Sequence, residues 1–192
     1  LGNDVAWRLS IVSFMVRYGD QYLHHNFVVT LLNDLFGIQA RGGCSCAGPY
    51  GHRLLGIDLV KSYEYEREIL RGCEGIKPGW TRVNFNYSIS DTVLEFILEA
   101  TDFVARLGWK FLPLYRFSPE TGLWKHQDWQ HGEGVQLSDV TYRSGQLKFP
   151  HSHLMTDEGA PATYLVQAER LASTLPAGAF EPTSGEKACV SS

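Results

Sequence analysis

The sequence predicts an α/β fold: a small three-stranded sheet with helices packed on one face, followed by an irregular C-terminal extension that carries one more helix. Three observations predict it. Residues 8–16 (RLSIVSFMV) form a short apolar run rich in branched and aromatic side chains, residues 80–87 alternate strictly between apolar and polar, and the segments that follow each repeat their apolar residues at helical spacing.

The elements follow in order. The run at 8–16 is closed by Gly19-Asp20 and reads as a buried strand, a short core helix being the alternative. From residue 22 to 36 the period changes, with Val28, Leu31, Leu32 and Leu35 at i, i+3, i+4 and i+7, and Gly37 ends the helix as a C-terminal glycine does. Residues 38–41 can form a second strand that runs into Gly42-Gly43-Cys44-Ser45-Cys46-Ala47-Gly48-Pro49, a loop by its glycine and proline content. Residues 61–71 are a polar surface helix, closed by turn material at Gly72, Gly75 and Lys77-Pro78-Gly79.

In the strand at 80–87, Val83, Phe85 and Tyr87 share one face and Arg82, Asn84 and Asn86 the other, so one face packs and the other offers hydrogen-bonding groups. Ser90 and Asp91 can cap a helix in which Val93, Phe96, Ile97, Ala100 and Val104 repeat as far as Gly108. Residues 112–124 read as turn-rich and extended, 127–144 as a polar loop and 162–175 as a last helix. This divides the chain into a domain at 1–125, an extension at 126–175 and a tail at 176–192 that is expected to be disordered.

Composition narrows the function. With 44% hydrophobic and 20% charged residues the chain can bury a core, and a net charge of -4 with no Lys/Arg cluster gives no pull toward nucleic acid or an anionic membrane. No apolar stretch reaches the roughly 20 residues needed to span a bilayer, and a cytoplasmic location is expected. Four cysteines, two of them at Cys44 and Cys46, read as free thiols rather than a disulfide framework. The start at Leu1 reads as a piece of something longer.

Three groups could carry chemistry. Arg82, a guanidinium on the polar face of a largely buried strand, suits an anion and above all a carboxylate; the plainer alternative is a structural ion pair with a nearby acid. Cys46 sits in a glycine-rich loop near Arg41, which would favour its thiolate and make it a nucleophile; the plainer alternative is a small, partly buried thiol. Cys44, Cys46 and His52 with His24 or His25 are zinc-type ligands, but the spacing lacks the second ligand pair of a zinc motif. His24 and His25, at the start of a helix, suit a solvated or capping role. The glycines match neither the P-loop nor the dinucleotide pattern.

The run LHHNFVVTLLNDLFGIQARGGCSCAGPYGHRLL, followed by KPGWTRVNFNYSIS and a helix, resembles the C-terminal small domain of class V aminotransferase-fold, pyridoxal-phosphate enzymes, and within them the cysteine desulfurase and selenocysteine lyase branch. The resemblance covers about residues 8–125. It implies that Cys46 accepts sulfur or selenium from an amino-acid substrate, that Arg82 clamps the substrate α-carboxylate, and that the enzyme is a homodimer. It also implies a Schiff-base lysine, yet none of Lys61, Lys77, Lys110, Lys125, Lys148 and Lys187 follows a histidine in the family's Ser/Thr-x-His-Lys arrangement. The cofactor would therefore be held by a large domain of the same polypeptide, and this chain alone is expected to be inactive. The alternative is a truncated, non-catalytic module that serves binding or dimerisation, and a zinc or iron-sulfur carrier built on Cys44 and Cys46 is a third reading.

Overall fold

The computed structural model describes residues 5, 7, 9–44, 48–130, 137–142, 145–148 and 160–176. A three-stranded antiparallel sheet is built from β1 (Ile11–Phe14), β4 (Arg41–Gly43) and β5 (Trp80–Asn84), with β5 in the centre. Between β1 and the first long helix lies a short hairpin of β2 (Arg17–Tyr18) and β3 (Gln21–Tyr22). The helices are α1 (His25–Phe36), α2 (Gly48–Leu54), α3 (Leu59–Leu70), α4 (Asp91–Leu107) and α5 (Pro161–Thr174). A second hairpin pairs β6 (Tyr115–Ser118) with β7 (Leu123–His126).

The core lies between one sheet face and the long helices. Phe27, Val28, Leu31 and Leu32 of α1 are fully buried with Phe103 and Val104 of α4, Phe111, and Val83 from the sheet. Each such side chain contributes about 1.5–3 kcal/mol of burial. Ring contacts fix the packing: Phe36 meets Phe103 edge-on at 5.4 Å and Phe103 meets Phe111 at 6.1 Å. α5 lays Ala168 and Ala172 against this core and touches both α1 and α4. Small residues there let the helices approach closely.

The ends of the helices follow local chemistry. Asp58 caps α3 by accepting from the Lys61 amide at 2.8 Å, and Ser90 caps α4 by accepting from the Val93 amide. Gly37 takes the left-handed conformation, φ 67°, that closes α1. Register runs Ser13 and Arg41 on either side of Arg82, Phe14 and Gly42 on either side of Thr81, and Gly43 opposite Trp80.

Several expectations are corrected. β1 is an edge strand, with Ile11 and Val12 each 42% exposed, because the burying position at the centre of the sheet goes to β5. The second strand begins at Arg41 and takes in the first two glycines of the expected loop. β5 stops at Asn84, since the Asn86 side chain accepts from the Ser88 amide and turns the chain, and Tyr87 stands fully exposed at 100%. The turn-rich extended reading of residues 112–124 holds from Tyr115 on, where β6 and β7 form a hairpin, but a 3₁₀ turn at Gly108–Leu114 takes its first residues. The tail at 177–192 lies outside the described residues. Among the described residues no helix is long and apolar enough to cross a membrane.

The approach of β4 to the turn before β5 requires glycine. A Cβ on Gly79 would stand 2.6 Å from the Gly43 carbonyl carbon and 2.7 Å from its Cα, backbone atoms with no flexible end to give way. Gly43 itself has φ +110°. Gly79→Ala is expected to cost about 2 kcal/mol through this overpacking. Urea unfolding of the variant checks it, and an unshifted midpoint would show that the two segments do not meet this closely.

Candidate functional site

The two sheet faces differ. On the helix side, Thr81 donates its hydroxyl to the His25 carbonyl at 3.2 Å, and a Cβ on Gly42 would collide with the Asn26 side chain and press on His25. Gly42 is thus what lets β4 lie against the start of α1. Alternation turns Arg41, Arg82 and Asn84 to the opposite face.

On that face Arg41 and Arg82 are directly opposed cross-strand neighbours, with Ser13 completing the row. Arg82 is half-buried and Arg41 exposed. Among the described residues neither makes an ion pair or a hydrogen bond. Among the described residues no acid forms the structural ion pair that was the plainer alternative for Arg82. Like charges directly opposite each other destabilise a sheet, so the pair calls for an anion.

Trp80 stands two residues before Arg82 on the same face, only 8% exposed, and a Cβ added to Gly51 of α2 would meet its ring at 3.5 Å. Its indole Nε1 is buried with no hydrogen-bond partner. An unsatisfied donor of this kind costs about 1–3 kcal/mol, and an acceptor on this face would relieve it. The remaining positions of the face are Ile11, Ser13, Gly43 and Asn84, where Asn84 accepts from the Ser10 hydroxyl at 3.1 Å. None is acidic.

The cysteines separate. Cys46 lies outside the described residues, so its sequence-based role acquires no geometry. Cys44 is exposed and free. Cys73 is disulfide-bonded, against the expectation of free thiols.

The histidines are on the other side of the sheet. His24 caps α1: its Nδ1 accepts from the Asn26 amide and from the Trp124 indole, each at 3.2 Å, and its Nε2 meets the Gly75 carbonyl at 2.9 Å. Both nitrogens are engaged, so the capping role expected for His24 holds, in a part-buried rather than a solvated setting. His25 stacks on it at 4.3 Å between ring centres. Burial lowers the pKa of both, that of His25 to about 4 with a smaller push from His24. Among the described residues no group of three or more His, Cys, Asp or Glu is placed to hold a metal ion.

Of the five described lysines, Lys148 stands at an isolated bridge to Thr141 and the other four are engaged elsewhere. Lys61 pairs with Glu64, Lys77 with Glu74, Lys110 bonds the Ala172 carbonyl, and Lys125 lies over the Trp129 ring. The described residues thus do not fit the role of holding pyridoxal phosphate by themselves.

Sequence reading singles out Arg82 but not the two residues that the sheet sets beside it, Arg41 and Trp80. Arg41 was visible only as a charge beside the cysteine loop, since its place opposite Arg82 depends on register. The Trp80 indole left no signal in sequence. Comparison with protein-family models, with curated proteins and with solved structures finds no match for this chain.

Proposed function

We propose that this chain is the substrate-binding small domain of a pyridoxal-phosphate enzyme of the class V aminotransferase fold, acting on an amino acid, with Arg82 holding the substrate carboxylate. The observation that carries the reading is the Arg82 guanidinium, half-buried in the central strand and without an ion pair or a same-face acid among the described residues. A guanidinium fork matches a carboxylate in two parallel hydrogen bonds, which fixes orientation as well as affinity. Orientation is what such a domain contributes. The cofactor would supply the carbanion chemistry from a separate large domain, and no step is assigned to it from these residues. Sulfur transfer of the cysteine desulfurase kind, with Cys46 as acceptor, is the finer form of the proposal and rests on the sequence resemblance alone.

Exposed apolar side chains support a covering partner. Trp7 and Leu9 ahead of β1, Ile11 within it, and Leu59, Val60 and Tyr63 on α3 are exposed. Apolar surface of this extent marks protein interfaces, and a large domain or a second subunit would cover it. The unsuitable lysines favour a second reading, a non-catalytic binding module. Borohydride reduction of the native polypeptide separates the two: a pyridoxyl adduct on a heavier chain supports the enzyme, whereas a chain of 21.6 kDa without adduct supports the module.

In the polypeptide that contains the cofactor domain, Arg82→Gln is expected to raise KM for the amino acid at least tenfold, about 1.4 kcal/mol or more, as loss of a charge-assisted hydrogen bond does. Steady-state kinetics check it. An unchanged KM would end the carboxylate role.

A further inference from the structure

We infer that the Arg41–Arg82 pair takes two negative charges, so that the ligand is an α-amino acid whose side chain carries its own acidic group. The inference rests on the carboxylate role proposed for Arg82, adds the second charge, and stands in place of the sulfur-transfer form of that reading, since an acidic amino acid such as aspartate has no sulfur to give.

The geometry points there by charge balance. Arg41 and Arg82 occupy directly opposed positions on one sheet face, and no other residue of that face is acidic. Neither guanidinium has an ion pair among the described residues. A single carboxylate bound at Arg82 leaves the Arg41 charge uncompensated beside it, and the repulsion between opposed like charges remains. A second anionic group on the same ligand removes it.

The spacing agrees. Cα atoms of a directly opposed antiparallel pair lie about 4.5–5.5 Å apart, so both arginines rise from adjacent positions on one face, where a small ligand with two anionic groups can meet both. The exposures of the two residues differ as two subsites would. Arg82 is half-buried and fixes the inner carboxylate, whereas Arg41, exposed on the edge strand, reaches for the outer group. The buried Trp80 Nε1, without an acceptor on the same face, is a further donor for an anion seated beside Arg82. Salt screens the exposed partner more than the buried one, so the second charge should act mostly at low ionic strength.

The test uses the ¹⁵N-labelled chain at low salt and follows its indole and arginine Nε–H resonances as L-aspartate or L-alanine is added. Trp80→Phe assigns the reporter indole. Expected is binding of aspartate at least tenfold tighter than alanine, with Arg41→Gln bringing aspartate down to the alanine level and leaving alanine unchanged, and Arg82→Gln weakening both. Equal affinities, or an Arg41→Gln chain that still prefers aspartate, would overturn the second charge while leaving the carboxylate role in place. No binding of either amino acid would overturn both. Circular dichroism confirms that each variant folds. If Arg41→Gln does not, Arg41→Lys keeps the charge but loses the fork, and an unaltered preference for aspartate over alanine in 0.5 M salt then counts against the inference.

Discussion

Replacing His24 with alanine is expected to destabilise the chain by about 3 kcal/mol, because one imidazole ties together three segments distant in sequence. Both partners of Nδ1 are N–H donors, the Asn26 amide and the Trp124 indole, so Nδ1 must be unprotonated. The proton is then on Nε2, which donates to the Gly75 carbonyl. This one tautomer caps α1, holds the β6–β7 hairpin through Trp124, and fixes the turn before β5. Removing the ring leaves the three partners short of a hydrogen bond in a part-buried site, at about 1 kcal/mol each where water repairs them incompletely. The ring also packs on His25, Phe117 and Trp124, and those contacts go with it. His24→Asn separates the terms: asparagine is a good cap and should restore roughly 1 kcal/mol, but it cannot reach both Trp124 and Gly75. Denaturant unfolding measures both variants. A loss well under 1 kcal/mol for His24→Ala would show that the three segments do not depend on the ring.

The elements legible in the sequence are those decided by local periodicity. α1, α4 and α5 are visible because their apolar residues repeat over several turns, and the ends of the first two carry Gly37 and Ser90. What sequence left open depends on order in space. Residues 11–14 are apolar enough for a buried strand, yet they form an edge, and nothing local distinguishes an edge strand from a central one. The alternation through residues 80–87 overran the strand because a side chain, that of Asn86, outcompetes the ladder for its neighbour's amide. The β6–β7 hairpin was hidden among Pro113, Pro119 and Gly122, and its Trp124 reaches a histidine 100 positions earlier. The site divides the same way. Arg82 could be singled out because a charge in an apolar strand is costly wherever the strand goes. Arg41 could not be set opposite it, since cross-strand register is fixed only when β4 and β5 meet, and that meeting depends on the bare backbones of Gly43 and Gly79.

Acid should loosen the fold well before the carboxylates titrate. His25 has its pKa lowered from 6.5 to about 4, first by burial and then by the neighbouring His24, and that of His24 is lowered by burial against a raising hydrogen bond from Gly75. For a base whose folded pKa lies below its unfolded one, the unfolded chain binds protons first as pH falls. Stability from these rings is therefore complete above about pH 6.5 and is lost between there and pH 4. At about 1.4 kcal/mol per unit the ceiling for His25 alone is near 3 kcal/mol, and partial exposure brings the expectation to roughly 2 kcal/mol. Carboxylates act later. Glu68, whose carboxyl is held below its usual value of 4.5 by Arg67 and Arg71, begins to cost stability only under that value. The two windows can thus be told apart in one series of urea unfolding curves from pH 7.5 to 3.5. Protonation would also turn the His24 Nδ1 from acceptor to donor, facing two donors at once, so the Trp124 contact should open first and its fluorescence should change ahead of global unfolding. A His25→Gln chain should lose most of the slope between pH 6.5 and 4 while keeping the slope below it. An unfolding free energy that stays flat across the upper window in the unaltered chain would mean that the histidine pair is open to solvent and contributes nothing to holding α1 on the sheet.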